Sequence, residues 1–237
     1  MGTIRTSRGP YRYKPVYLYE GRKVIDPEIA ADNLRDLVPV LDEAGIRFGP
    51  IFGSLLGMVR EHDFIAWDED IDLYILKEEE DRFRDALWPL REKGFELVRY
   101  DKRGLYSVMR RNEYIDFYVL RPVSRELRHT GGADFIFERY LQDTVPYEFK
   151  GVSLRIPREY EEYLTFTYGD WRTPVQSFDF RKGRLRILSG RIRNWLKGLI
   201  PDRLYPAFVR LHRKKDLERF LHKCRDRGIT LSEEVRL

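Results

Sequence analysis

The sequence predicts a mixed α/β domain followed by a basic helical extension. Three observations predict it. Short apolar runs of strand length alternate with stretches whose apolar residues recur at helical spacing. Glycines and prolines punctuate the joins between them, and past residue 180 the strand signals stop while arginine and lysine accumulate.

The first 25 residues are rich in Tyr, Arg and Lys without a clear period, and read as an N-terminal arm that packs on or near the body. Asp26 and Pro27 open a helix, Asp26 as its N-cap and Pro27 in the first helical position. Ile29, Leu34, Leu37, Val38 and Leu41 recur at helical spacing before Gly45 ends it, and Pro39 inside the pattern predicts a kink. An apolar strand at residues 50–52 then runs through a Gly53-Ser54 turn into a helix at 55–60. Residues 71–76 read as a strand, 78–93 as an acidic-started helix closed by Gly94, and 95–100, 105–110 and 114–120 as three further strands. Residues 145–156 read as a hairpin turning at Lys150-Gly151, and 158–167 as a short helix ending near Gly169. Without repeats or low-complexity segments, the chain divides into the arm (1–25), a body (26–178) and the extension (179–237).

At 237 residues and 42% hydrophobic, the chain can bury one good core with an appendage. A single cysteine, Cys224, excludes an intrachain disulfide framework, and four histidines leave too few ligands for a Cys/His zinc site. A reducing, cytoplasmic setting is expected. No apolar run reaches signal-peptide or membrane-spanning length. The net charge of +5 is modest, but between Arg181 and Lys215 the basic residues face Asp202 as the sole acid. That stretch should seek an anionic partner.

The segment Trp67-Asp68-Glu69-Asp70-Ile71-Asp72 spaces three aspartates two apart as the chain enters a strand, so alternation points them to one face. An isolated pair of this kind is usually a solvated acidic turn. Two further features shift the reading. A Gly-Ser turn at a helix N-terminus lies upstream, where free N–H groups and the positive end of the helix dipole suit a phosphate. Asp116 lies within the apolar strand Tyr114-Ile115-Asp116-Phe117-Tyr118, where an unpaired carboxylate is costly to bury. If the two strands are neighbours, Asp70, Asp72 and Asp116 converge on a hard divalent cation, magnesium or manganese. Together these parts suit phosphoryl transfer.

At these residues the chain resembles the LicD/fukutin-type phosphotransferases. The resemblance is carried by Gly53-Ser54-Leu55-Leu56-Gly57-Met58-Val59-Arg60, Trp67-Asp68-Glu69-Asp70-Ile71-Asp72, Ile115-Asp116-Phe117 and Tyr168-Gly169-Asp170-Trp171-Arg172-Thr173-Pro174. It implies a nucleotidyltransferase-like fold. It also implies transfer of phosphocholine or a polyol phosphate from a CDP-linked donor to a hydroxyl of a surface glycan or lipid-linked sugar. Asp70 and Asp72 would hold the metal, Asp116 would share it and act as base, and Gly53 and Ser54 would grip phosphate. Arg60 is a further candidate for neutralising charge. Glu69 stands where the family often has Asp, which leaves the inward-facing pair intact. The anchor, stem and cysteine-rich zinc element of animal relatives are not recognised here, so a compact microbial enzyme at the cytoplasmic face is expected.

Weaker candidates are Asp68 as a third ligand, Trp67 as a stacking platform and Asp170 at the rim, each with a plain turn or packing role beside it. The loop around His129-Thr130-Gly131-Gly132 has the composition of a mobile connection. Gly53-Ser54-Leu55-Leu56-Gly57 is not a Gly-x-Ser-x-Gly elbow, so a serine hydrolase is set aside. Residues 181–215, with Ile187, Ile192, Trp195 and Leu196 among the cations, suggest peripheral contact with anionic membrane, or docking onto the body. Two rival functions use the same features. One is a nucleotidyltransferase releasing pyrophosphate. The other is a noncatalytic module binding RNA or anionic membrane, and nucleic acid is disfavoured because an acidic cluster repels polyanions.

Overall fold

The structure, a computed structural model, describes residues 1–16, 18, 24–131, 134–175, 205–232 and 235, and for 205–212 the backbone alone. Along the chain come the strands β1 (Gly2–Thr6) and β2 (Gly9–Tyr13), helix α1 (Pro27–Glu43), β3 (Phe48–Pro50), α2 (Phe52–Arg60) and β4 (Ile71–Leu76). Then follow α3 (Glu80–Glu92), β5 (Glu96–Asp101), β6 (Leu105–Arg110), β7 (Glu113–Pro122), β8 (Leu127–His129), β9 (Phe135–Phe137) and α4 (Arg139–Gln142). The last described elements are β10 (Thr144–Phe149), β11 (Val152–Pro157), α5 (Tyr160–Tyr168) and α6 (Tyr205–Asp226).

The architecture is the expected mixed α/β fold. A central sheet has the order β3-β4-β7-β6-β5, with β8 joining β7 and β9 joining β8. Its one parallel pair is β4 with β7; the other pairings are antiparallel. β4 lies inside the sheet and is buried on both faces, which is why it reads as a continuous apolar run. Its residues Ile71, Leu73 and Ile75 enter one hydrophobic cluster with α1, α3 and the N-terminal hairpin. Tyr74 and Leu76 enter a second cluster with α5, β8, β9 and α6.

Local chemistry accounts for most boundaries. Asp26 caps α1, its carboxylate accepting the N–H groups of Glu28 and Ile29 at 3.1 Å each. The helix runs on through Pro39 to Glu43, with Leu37, Val38, Val40 and Leu41 buried around the proline. The residues expected as a strand at 50–52 divide differently. β3 ends at Pro50, and Phe52, with φ of +50°, turns the chain so sharply that α2 starts there. Gly53 and Ser54 therefore lie in the first helical turn, not before it.

The arm holds more order than its composition suggested. β1 and β2 form a hairpin whose Ile4, Tyr11 and Tyr13 are buried in the first cluster, and Tyr11 meets Trp88 of α3 edge to face. In the extension, α6 is helical as expected and buries Phe220 and Cys224 against the body, giving Cys224 a packing role. Residues 176–204, including most of the basic stretch expected to meet a membrane, lie outside the described residues. No described helix is long and apolar enough to cross a membrane.

Candidate active site

The parallel pairing of β4 and β7 sets Asp72 directly opposite Asp116. Both residues alternate with Leu73 and Phe117 of the first cluster, so their side chains lie on the sheet's other face. Asp70, just before β4, shares that face by the same alternation. Carboxylate oxygens of Asp70, Asp72 and Asp116 all lie within 4.8 Å of one another. Asp116 is fully buried, and the other two are half-buried.

Three carboxylates this close to one another oppose their own ionisation. Asp70 and Asp72 are pushed well above the usual carboxylate range, first by burial and then by the charges of their neighbours. Arg99 works against this at both residues, and the Tyr118 hydroxyl, donating to Asp72, helps at the second. A divalent cation fits this donor set. Its hard oxygens converge in a desolvated site and carry more negative charge than the one nearby arginine offsets.

Arg99 reaches the cluster through a row of side chains crossing four strands. Register places Arg99 opposite Ser107, Ser107 opposite Asp116, and Asp116 opposite Asp72. Ser107 Oγ donates to Asp116 Oδ1 at 2.5 Å, Arg99 Nε donates to Ser107 Oγ at 2.7 Å, and Arg99 Nη2 pairs with Asp116 Oδ2. Both oxygens of Asp116 are thus engaged by protein donors. A register shift between Leu97 and Arg99 makes this possible, because Val98 is an extra residue opposite β6. Strict alternation from the core-facing Leu97 would send Arg99 to the core; the bulge turns it to the site and sends Tyr100 back against Tyr106.

The N-terminus of α2 is fastened to the same place. Ile51 N–H donates to Asp72 O at 3.1 Å, and Asp72 N–H donates to Ser54 Oγ at 2.7 Å. Ser54 is buried, and a hydroxyl that accepts one bond keeps a proton to donate. No side chain caps the helix, and the N–H groups of Gly53 and Ser54 meet no acceptor among the described residues. These donors and the positive helix end adjoin the carboxylates, an arrangement able to hold a phosphate beside a bound cation.

The remaining sequence candidates fall into place around this centre. The Asp68 carboxylate lies against Gly53; it is outside the convergent trio, but its charge raises both Asp70 and Asp72. Burial pushes its own pKa up to about 6, the Glu69 charge adding and a backbone N–H opposing. Arg60 is tied to Glu61 Oε1 at 2.7 Å and to Trp171 O at 3.1 Å, joining α2 to the segment after α5. Trp67 packs at the edge of the second cluster. Asp170 is exposed and accepts the Thr173 hydroxyl at 2.6 Å, as a turn residue does.

Sequence reasoning missed Arg99, Ser107, Tyr118 and Tyr163. Tyr118 alternates with Phe117 and so shares a face with Asp116, a signal that was present in the quoted strand. Ser107, a polar residue in an apolar strand, was a fainter one. Arg99 and Tyr163 gave none, since one depends on a bulge and the other on α5 packing its hydroxyl 3.5 Å from Phe52 N–H.

The family model described as LicD/FKTN/FKRP, nucleotidyltransferase domain, matches residues 45–159. Ribitol 5-phosphate transferase FKRP of Mus musculus is 31% identical over 171 residues, and the Homo sapiens protein 30%; each match covers 65% of this chain and 34% of the relative. The chain thus spans about a third of the length of these curated relatives. Among solved structures, the antibiotic-resistance factor ANT(2'')-Ia superposes with a TM-score of 0.43 at 16% identity, covering 86% of this chain and 99% of that one. The residues that build the carboxylate cluster and the α2 N-terminus all lie inside the matched segment, which carries the LicD/FKTN/FKRP nucleotidyltransferase domain.

Proposed function

We propose that the chain is a metal-dependent phosphotransferase that moves a phospho-group from a CDP-linked donor to a hydroxyl of a glycan or lipid-linked sugar. The observation that carries this reading is the convergence of Asp70, Asp72 and Asp116 beside the uncapped N-terminus of α2. A cation site and a phosphate site side by side are what a diphosphate ester needs for displacement at phosphorus. Of the two groups suggested by the family resemblance, the relatives named for ribitol 5-phosphate transfer support a polyol phosphate over phosphocholine.

Magnesium or manganese held by the three aspartates would neutralise the diphosphate and stabilise the departing nucleotide. The chain's own groups do the rest. N–H groups of Gly53 and Ser54 donate to phosphate oxygens and fix the donor for in-line attack. Arg99 and Ser107 hold Asp116 in one orientation. With both its oxygens engaged, Asp116 is the least available of the three to take a proton. Asp70, half-buried and outside the Arg99–Ser107 bond pair that fixes Asp116, takes the proton of the attacking hydroxyl in this mechanism. A lipid-linked acceptor would give the basic residues 181–215 a use as a contact with the anionic cytoplasmic face of a membrane; the support here is sequence alone.

The test is incubation of the protein and magnesium or manganese with a panel of CDP-linked donors and nucleoside triphosphates, with products identified by mass spectrometry. Metal-dependent release of cytidine monophosphate is expected, lost in Asp70→Asn and Asp72→Asn while thermal melting shows both variants folded. Near-normal turnover in both variants would end the proposal. Pyrophosphate release from a triphosphate would make the protein a nucleotidyltransferase instead.

A further inference from the structure

A cavity of about 160 Å³ opens between α5, β9 and α6. Its inner wall is Phe52, the residue before Gly53, together with Tyr163, whose hydroxyl faces Phe52 N–H at 3.5 Å. Phe52 meets Tyr118 edge to face at 5.3 Å, and two residues on Ser54 accepts Asp72 N–H at 2.7 Å, so this wall adjoins the carboxylate cluster. Its outer wall is α6, which contributes Asp216, Arg219 and Lys223.

The wall chemistry selects among ligand classes. Arg219 is paired with Asp216, and Lys223 and Arg219 both act on Asp134 at the β9 side, so two cations balance two carboxylates. A polyanion gains nothing from such a balance. A quaternary ammonium is also disfavoured: the aromatic face it would seek on Phe166 already carries the Lys223 ammonium, 4.8 Å from the ring centroid. Aromatic surface interspersed with both donors and acceptors suits a neutral polyhydroxylated molecule, whose C–H faces pack on rings while its hydroxyls bond the rim.

We propose that this cavity is a subsite for an uncharged polyhydroxylated chain or ring, either the polyol of the donor or the sugar of the acceptor. The proposal rests on the phosphotransfer reading of the neighbouring carboxylates. It makes α6 a specificity element, supplied from the part of the chain beyond the matched domain.

The first experiment is ligand-observed saturation-transfer NMR on the full chain with ribitol, glucose and choline as separate probes, for wild type, Asp70→Asn, Lys223→Met and Asp216→Asn. Ribitol or glucose should receive saturation from wild type and from Asp70→Asn, and choline should not. Losing the ammonium donor in Lys223→Met, or the charged acceptor in Asp216→Asn, should weaken the contact about fivefold, with melting curves confirming that both fold. Absence of transfer to both polyol and sugar, equal transfer in the wall variants, or transfer to choline would overturn the proposal. In turnover assays, a KM rise for the donor alone assigns the polyol, and a rise for the acceptor alone assigns the sugar. If KM for both substrates stays unchanged, the subsite fails and phosphotransfer stands. Persistence of the NMR contact with no donor consumed instead retires phosphotransfer and keeps the subsite.

Discussion

A methyl group on Gly53 would sit 2.6 Å from Asp68 Oδ2, closer than any carbon and oxygen rest without displacement. Gly53→Ala should fold at least as well as wild type, because alanine favours a helix over glycine by up to about 1 kcal/mol. Its effect should fall on chemistry: with Asp68 pushed aside, turnover should drop by about 10²-fold, the scale associated with small misplacements in a reacting site. Wild-type turnover in a normally folded Gly53→Ala would show that Asp68 is dispensable. His129 raises a different matter. Its Nδ1 accepts Gly131 N–H at 3.0 Å, and its Nε2 is buried without a partner among the described residues. Burial first, then the charges of Arg213, Arg103 and Arg121, lower its pKa from 6.5 to about 4. The unfolded chain binds a proton below about pH 6.5, the folded chain only below about pH 4. This contribution to stability is therefore complete above that window and is lost as pH falls through it, by ~3 kcal/mol in all. Chemical denaturation of wild type and His129→Gln from pH 7 to pH 4 should give curves that converge toward acid; parallel curves would count against a buried neutral imidazole.

At the scale of an element, β5 governs the charge of the site, since its bulge is what delivers Arg99 to Asp116. Removing one partner of a buried ion pair leaves the other charge uncompensated. Arg99→Met should therefore cost about 3–5 kcal/mol in chelator, and much less in manganese, where a cation would take over the neutralisation. Equal losses with and without metal, measured by denaturant unfolding, would mean that Arg99 acts by packing alone. The same strand marks where sequence reading stops. Strands at 71–76 and 105–110 were legible because their apolar residues are dictated by burial close to them in sequence. The trio Asp70, Asp72 and Asp116 was legible because carboxylates in or beside apolar strands require an explanation. The row from Arg99 to Asp72 was not, because it depends on register among four strands, a non-local property that no single segment encodes. β8 and β9, three residues each, are too short for a period to appear. The N-terminal hairpin does alternate, Ile4 and Thr6 inward and Tyr11 and Tyr13 inward, but the arginines between them dominate its composition.

Across the whole molecule, the sheet has one face given to stability and the other to chemistry. The first face is sealed by α1, α3 and the hairpin, so the hairpin belongs to the core despite its place at the chain's start. Ile4→Ala, opening that seal, should destabilise the protein by about 2–4 kcal/mol in denaturant unfolding while leaving KM for both substrates unchanged. A loss below measurement error would place the hairpin outside the cooperative fold. The second face carries the carboxylates, α2 and α6, and holds its polar groups among aromatic residues of the second cluster. One feature crosses between the two faces. Val98 contributes no charge and no catalytic atom, yet whether it stands out of the ladder or pairs within it decides whether guanidinium or phenol is aimed at the aspartates. Deleting Val98 would join Leu97 to Arg99 in a regular ladder with the same partners, whereas a slip that paired Val98 with Ser107 would exchange the roles of Arg99 and Tyr100. For this strand, what heredity must conserve is a pairing, which neither the count of residues nor the identity of the one left out fixes by itself.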